Sequence, residues 1–527
     1  MAYQFNIKDN YKAALLIILL TAVLRIYFSE QSYYGISTDP ANFILAVQSY
    51  NIAKDQPHLP GYYMHVQIIR LIKILTGNTH SAMIILSIFY SSVAMGFLYL
   101  LFRNWFDINI SLLLALLVAT NPMVWFYGCT TEIYSFDLFF SIVIAWLGLN
   151  PVGIYLIPLF AGLFSGVRPS SGILILGLYL FLWYRHIKSG SFSLKKAVFS
   201  HLAGLAGFLI WFIPMISSAG GIRKYLTLYS VNSPVPKISI LQNWYTISSY
   251  IVFLLFPYVV LMIYLLIHYI RSRRNRIEND NSAKIIPPRD FIYLMLAWCI
   301  LPLVFFFFYY YAKGYFLLCI VPVLSLIIIF IRKKKASQII LSFAILLQTA
   351  FFCLWPYTKP EPRLYFSPGP RQFSISKVWL ERFNSVYLMS QSHIRSMEKS
   401  ENEIGKLINF LSDSSNKLKN NIIFIDPTIS IKARALQAEY PQLNFGALSF
   451  FKHDQYEIYN DTEVTIKNGL NKMIKESWII SRRSFIYRYP EDIAVIQNSG
   501  LYSLCRVQPG KSEKMAEVYS SLFLRDR

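Results

Sequence analysis

Long apolar runs recur from the first residues of the chain to about residue 356, and the stretches between them are short. A helix of about 20 apolar residues crosses the hydrocarbon core of a bilayer, and a helix satisfies all its backbone polar groups internally. The runs are 13–29, 81–102, 111–128, 134–149, 152–167, 172–184, 197–218, 245–270, 291–311, 315–331 and 337–356. They predict an all-α polytopic membrane domain over residues 1–356 with about eleven transmembrane helices. The shorter runs read as tilted, re-entrant or broken helices. Composition agrees, with 55% of the 527 residues hydrophobic and 15% charged, where soluble domains carry roughly 25% charge. The first run lacks a small-residue cleavage site and is followed by many more, so it reads as a span and not as a signal peptide.

Basic residues set an expected orientation. Lys8 and Lys12 precede the first run and Arg103 follows the second. "YRHIKSGSFSLKK" follows the sixth, "RSRRNR" the eighth and "RKKK" the tenth. With the N-terminus cytoplasmic, all of them fall on one side, as the positive-inside rule requires. Stretches 30–80, 129–133, 168–171, 219–244 and 312–314, and everything after about 357, then face outside. This bias accounts for part of the net charge of +22. The remainder suits anionic lipid headgroups or a phosphate-bearing substrate. Nucleic acid is not an expected partner, since no basic-aromatic module is visible. Cys129, Cys299, Cys319, Cys353 and Cys505 are scattered, with no CxxC, which argues against a disulfide framework or a structural zinc site. The Ile-, Lys- and Asn-rich usage points to a bacterial inner membrane.

The tail changes character. It opens on the Pro-rich "PYTKPEPRLYFSPGP" and continues into a polar helical segment ending "NEIGKLINFLSD". "NNIIFIDP" reads as a short buried strand, "SIKARALQAEYP" as a helix, and "ESWIISRR" and "GLYSLCRV" as strand-like. Residues 357–527 are therefore expected to form a small extracytoplasmic α/β domain. It carries no Gly-rich phosphate loop.

Chemistry-bearing residues concentrate on the expected outer face. The first external loop, 30–80, is far longer than a connection needs, and long ordered loops are usually functional. "DPANFILAVQSYNIA" and "GYYMHVQIIRLIKILTG" each carry apolar residues at helical spacing, with Pro60 and Gly61 at the entry of the second. Asp39 opens the first of these helices, as a cap, as a general base beside the membrane surface, or as both. Glu132, between the third and fourth runs, orients a sugar hydroxyl, supports Asp39, or is a solvated loop acid. Asp137 lies about a turn deeper, where an ionisable group is costly; it is a functional residue or the partner of a buried cation. Arg168, in "GLFSGVRPSSG", can grip a lipid phosphate bidentately or snorkel to the interface. Lys313, among the tyrosines of "YYYAKGYF", can steady a leaving phosphate or belong to an interfacial aromatic belt. His58, His65 and His80 share the first loop. Two histidines seven apart do not make a metal site, although Asp39 or Asp55 can complete one; interfacial or substrate hydrogen bonding is the plainer role.

These pieces in this order resemble the membrane glycosyltransferases that use polyprenyl-phosphate sugars, of the GT-C fold. They are most similar to the protein O-mannosyltransferase and lipid A aminoarabinose transferase superfamily. "TDPANFILAVQSY" resembles that family's first-loop acidic motif, which implies a catalytic carboxylate at Asp39. "PHLPGYYMHV" resembles a His-Pro-Pro-Gly-Tyr-Pro element at Pro57, His58, Pro60, Gly61 and Tyr62, with Leu59 and Tyr63 replacing two of its prolines. "WFYGCTTEIYSFDLFF" resembles a Trp…Glu-Val-Tyr segment at Trp125, Glu132 and Tyr134. The resemblance covers roughly residues 10–330. It implies transfer of a sugar from a polyprenyl-phosphate donor to a glycan, lipid or protein acceptor on the outer face, with inversion, Asp39 as base, and His58, Tyr62, His65, Glu132, Tyr134, Arg168 and Lys313 as substrate-binding residues. No cofactor is required. The family's paired first-loop acids are not adjacent here, which leaves a divalent metal open. Two other readings share most of these features: a non-catalytic protein that binds lipid-linked sugar, and a lipid or oligosaccharide transporter, which would more often show internal repeats.

Overall fold

A computed structural model describes residues 7–30, 39–232, 288–308, 313–326, 328, 334–355, 389–413, 422–425, 436, 440, 443–448, 455–459, 464–468, 478–482, 493–500 and 502–507. They divide into two compact units. One contains Met1–Ser29, Leu59–Pro356 and Ile375–Ser392; the other contains Glu30–His58, Tyr357–Ser374 and His393–Arg527.

The first unit is helical. Helix α1 (Ile7–Tyr27) precedes the loop; after it come α3 (Tyr63–Thr76), α4 (Thr79–Phe102), α5 (Ile108–Ala119), α6 (Pro122–Gly128) and α7 (Ser135–Leu149). Helix α2 (Asp39–Gln48) belongs to the other unit. Then follow α8 (Ile157–Phe164), α9 (Pro169–Leu174), α10 (Leu176–Lys188), α11 (Leu194–Ser218), α12 (Ile222–Asn232), α13 (Arg289–Phe308), α14 (Leu317–Ser325) and α15 (Lys334–Leu354). Among the described residues, α1, α4, α11, α13 and α15 are long and apolar enough to cross a membrane. The expected run 245–270 lies outside the described residues.

Helix α4 is apolar on every side, which is the pattern of a buried helix, and it packs against α1, α3, α5 and α7. The run 111–128 is broken: α5 and α6 meet at 65°. Pro122 has no N–H to continue the ladder and disfavours helical geometry in the residue before it. Asn121 restarts the helix by accepting a hydrogen bond from the Met123 N–H at 3.0 Å. The run 152–167 likewise opens as a 3-10 turn, Gly153–Leu156, before α8, and the run 172–184 is divided at Ile175 between α9 and α10. Small residues bring α8 and α11 into backbone contact. A Cβ on Gly162 would lie 2.0 Å from the Gly204 carbonyl oxygen, and one on Gly204 would lie 2.6 Å from that of Pro158. In lipid, where apolar burial drives little association, such close approach supplies much of the packing.

The second unit holds a seven-stranded mixed sheet in the order β4-β3-β2-β1-β5-β7-β6. Its strands are β1 (Ile422–Ile425), β2 (Asn444–Leu448), β3 (Gln455–Tyr459), β4 (Val464–Asn468), β5 (Trp478–Arg482), β6 (Ile493–Ser499) and β7 (Tyr502–Val507). The central β1 runs parallel to β2 and β5, and the outer pairs are antiparallel. Helix α16 (Gln391–Asp413) buries Ile404, Leu407, Ile408 and Leu411, one face at 3.6-residue spacing. These residues join Ile423, Phe445, Ile480 and Leu504 of the sheet in one core. Ala41 of α2 belongs to the same core. The long first loop is thus divided. The sequence reading keeps 30–80 with the membrane domain, whereas Glu30–His58 clusters with the tail and Leu59 onward with the helices. Helix α2 buries every residue from Pro40 to Val47, too apolar a surface to leave on an open loop. "SIKARALQAEYP" falls almost wholly outside the described residues.

The α8–α11 contact yields the first prediction. Gly162→Ala should destabilise the detergent-solubilised protein by about 1–3 kcal/mol, because backbone rather than a flexible side chain must move. A thermal unfolding midpoint equal to wild type would refute this.

Candidate functional site

Two clusters of chemistry-bearing side chains form, one in each unit. In the helical unit the centre is Asp137, in the first turn of α7 and completely buried. Arg168, the residue before α9, donates from Nη1 to Asp137 Oδ2, and Ser171 Oγ donates to Asp137 Oδ1. Both carboxylate oxygens are therefore engaged. The Arg168 guanidinium carbon lies 4.3 Å from the Tyr134 ring centroid and 4.0 Å from that of Tyr315, a cation–π contact on each. Gly314 lets this happen, since a Cβ there would fall 2.0 Å from the Tyr134 ring. The Met64 N–H donates to the Gly166 carbonyl at 2.9 Å, tying the start of α3 to the turn that presents Arg168. Tyr62 and His65 lie within electrostatic reach of the same guanidinium.

Sequence reasoning allowed Arg168 to snorkel and Glu132 to be a solvated loop acid. Neither description holds: Arg168 is 1% exposed and Glu132 2%. Asp137 takes the second of its two expected roles, the partner of a buried cation. Ser171 and Tyr315 were not anticipated. Ser171 was within reach of a sequence argument, because "RPSSG" places hydroxyls one helical turn from the arginine; Tyr315 was not, since its approach depends on how α7 and α14 pack. Lys313 begins a 3-10 turn, Lys313–Phe316, and its side chain lies outside the description.

In the second unit Asp39 is the first residue of α2 and remains partly exposed. His58 Nε2 lies 3.7 Å from Asp39 Oδ1. Asn42, one turn along α2, faces the other ring nitrogen, with Nδ2 3.4 Å from His58 Nδ1. An amide N–H at that position makes Nδ1 an acceptor and leaves the proton on Nε2, toward the carboxylate. The loop carrying His58 is closed by paired backbone hydrogen bonds, Asn51 N to Gln56 O at 2.6 Å and Gln56 N to Asn51 O at 3.0 Å. The Phe43 ring centroid lies 5.8 Å from that of His58. Among the described residues, no group of three or more His, Cys, Asp or Glu converges to hold a metal ion.

His65, in the loop helix α3 and outside the expected spans, is pushed down to about 3 by burial, with the Arg168 charge acting in the same direction. Its folded state therefore resists a proton that the unfolded chain takes up below about 6.5. The consequence is a stability contribution that is constant above that pH and is lost as pH falls. At pH 5 the loss is about 2 kcal/mol. Unfolding measured from pH 7 to pH 5 should show wild type losing more stability than His65→Gln, and parallel curves would contradict this.

No family model matches the sequence, and no curated protein matches it. Solved structures do match in fold. ArnT from Cupriavidus metallidurans bound to undecaprenyl phosphate aligns with a TM-score of 0.50 at 10% identity, over 94% of this chain and 97% of that one. The apo form of the same protein aligns over the same shares at 10% identity with a TM-score of 0.46. ArnT is a GT-C lipid A aminoarabinose transferase. At this identity the likeness is one of architecture, and the architecture spans both units: the chain has the GT-C membrane fold with a small C-terminal α/β domain.

Proposed function

We propose that this protein is an integral membrane glycosyltransferase. It transfers a sugar from a polyprenyl-phosphate donor to a glycan, lipid or protein acceptor on the outer face of the membrane, with the N-terminus cytoplasmic. The observation that carries the reading is the setting of Asp39: a partly exposed carboxylate at a helix start, with His58 beside it and Asn42 behind the ring. The GT-C fold of the whole chain supports it.

The chemistry follows from the groups present. An acceptor hydroxyl or amine attacks the anomeric carbon from the face opposite the phosphate. Its proton passes to the Asp39 carboxylate, the bond from the anomeric carbon to the phosphate oxygen breaks, and polyprenyl phosphate leaves with the electron pair. One displacement inverts the anomeric centre. A His58 Nε2–H directed at Asp39 holds the carboxylate in place to accept the proton. Tyr62, Tyr134 and His65, around Arg168, offer stacking faces and hydrogen bonds of the kind sugars use, with Glu132 nearby in sequence. Asp137 already neutralises Arg168, so in this proposal Arg168 organises those rings more than it grips phosphate, while Lys313 contributes charge toward the leaving group.

The test is sugar release from a panel of radiolabelled polyprenyl-phosphate sugars by purified protein. Asp39→Asn should reduce transfer by roughly 100-fold or more while leaving folding intact. Full activity in that variant would remove Asp39 from the mechanism, and no turnover of any donor by folded wild type would favour a binding or transport role. His58 should separate into two effects. His58→Ala lowers kcat about tenfold or more, whereas His58→Gln, which can still donate to the carboxylate, recovers most of it. Equal loss in both would mean that the ring acts otherwise than through Asp39.

A further inference from the structure

We propose that the turn joining α10 to α11 is a binding site for an anionic phospholipid of the surrounding bilayer, with the headgroup phosphate on Lys188, Lys195 and Lys196. Such a site requires the membrane fold and does not depend on the transferase reading. Lys188 is the last residue of α10, and Lys195 and Lys196 lie in the first turn of α11; all three are exposed. The sequence has no Asp or Glu between Asp137 and Glu278, so no acid flanks them along the chain. Asp290, at the start of α13, reaches this end of α10 but is engaged by Arg185, whose Nε lies 3.8 Å from its Oδ2. None of the three lysines is within ion-pair distance of a carboxylate among the described residues. Like charges gathered at one turn repel, and a bound anion relieves that repulsion.

The turn is held in one shape. Tyr155 Oη, in the 3-10 turn Gly153–Leu156, accepts from the Ser193 N–H at 2.9 Å and lies 3.0 Å from His186 Nε2. Its own proton is then directed at Nε2, which puts the imidazole proton on Nδ1, 3.2 Å from Ser191 Oγ. Ser191 Oγ lies 2.7 Å from Ser189 Oγ, and Ser189 donates back to the His186 carbonyl at 2.7 Å, closing the network. Lys196 Nζ is 5.9 Å from the Tyr155 ring centroid, a cation–π contact that ties one of the lysines to this framework. The Trp183 ring packs against Tyr155, His186 and Phe192. Trp and Tyr collect where a bilayer meets water, so the cluster sets the lysines at headgroup depth. Exposed apolar residues lead from the lysines toward the hydrocarbon. On α10 they are Ile187, Tyr184 and Leu180; on α11 they are Leu194, Val198 and Leu202. Each set follows helical spacing along one exposed face and ends beside a lysine. Cations above two apolar rows fit an anionic head with acyl chains. A zwitterionic phospholipid would bring its own ammonium group against the lysines, and a soluble anion would leave the rows unused.

The experiment titrates the detergent-solubilised full chain with phosphatidylglycerol, with phosphatidylcholine of the same acyl chains and with glycerol 3-phosphate, and reads binding by native mass spectrometry. Wild type should bind phosphatidylglycerol in preference to phosphatidylcholine. The triple variant Lys188→Gln, Lys195→Gln, Lys196→Gln should bind phosphatidylglycerol about tenfold or more weakly and phosphatidylcholine as before. Replacing the same three lysines by arginine should preserve binding. Arg223→Gln with Lys224→Gln, which removes two exposed cations of α12, should leave it near wild type. The lysines are exposed, so the lipid-free variants should unfold at the wild-type temperature; if the triple glutamine variant does not fold, the three single variants carry the comparison, each weakening phosphatidylglycerol about threefold or more. Equal affinity for the two lipids in wild type overturns the site, as does phosphatidylglycerol binding that is unchanged without the lysines. An equal loss in the α12 variant overturns it in favour of net charge alone. Lysine-dependent binding of glycerol 3-phosphate as tight as that of the lipid overturns it in favour of a soluble anion. None of these readouts involves sugar transfer, so the transferase reading stands or fails separately.

Discussion

An aspartate in the first turn of an apolar helix persists only if something neutralises it, and Arg168 does so from the turn before α9. The pair organises its surroundings. Tyr134, at the start of α7, and Tyr315, before α14, stack on the guanidinium. Ser171 completes the carboxylate's hydrogen bonding, and the start of α3 is tied to the same turn through Gly166. Four separate stretches of chain therefore converge on one ion pair. Breaking it would leave a lone buried charge, which is more unfavourable than never having placed the pair there. The charges cancel locally, so the cluster provides a rigid aromatic platform more than a field of one sign.

Arg25 is the contrasting case. Three buried arginines, Arg25, Arg103 and Arg168, belong to the same helical unit; Arg168 pairs with Asp137, whereas Arg25 donates to the Thr21 carbonyl.

The division of the first loop bears on the proposed base. Asp39 is carried by α2, and α2 contributes Ala41 to the core that α16 and the sheet build. Its position is thus set by the folding of the C-terminal residues, although it lies near the beginning of the sequence. The tail is part of what holds Asp39, His58 and Asn42 in register.

Much of this was legible in the sequence. Apolar runs gave the helical membrane fold because the bilayer permits few alternatives, and α2 and α3 appeared in the first loop with Asp39 and the Pro60-Gly61 entry where periodicity put them. The strands "IIFI", "WIISR" and "YSLCRV" followed from β-branched and alternating patterns. Partnership was not legible. Whether Asp137 binds Arg168, whether His58 faces Asp39, and whether an arginine at a helix end points to lipid or inward depend on helix rotation and on close contacts such as Gly314 on Tyr134 and Gly128 on Arg25. Hydropathy fixes which segments are buried in the bilayer, because burial is a property of a segment. Which charge meets which is decided only when distant segments pack, because a salt bridge is a property of a pair.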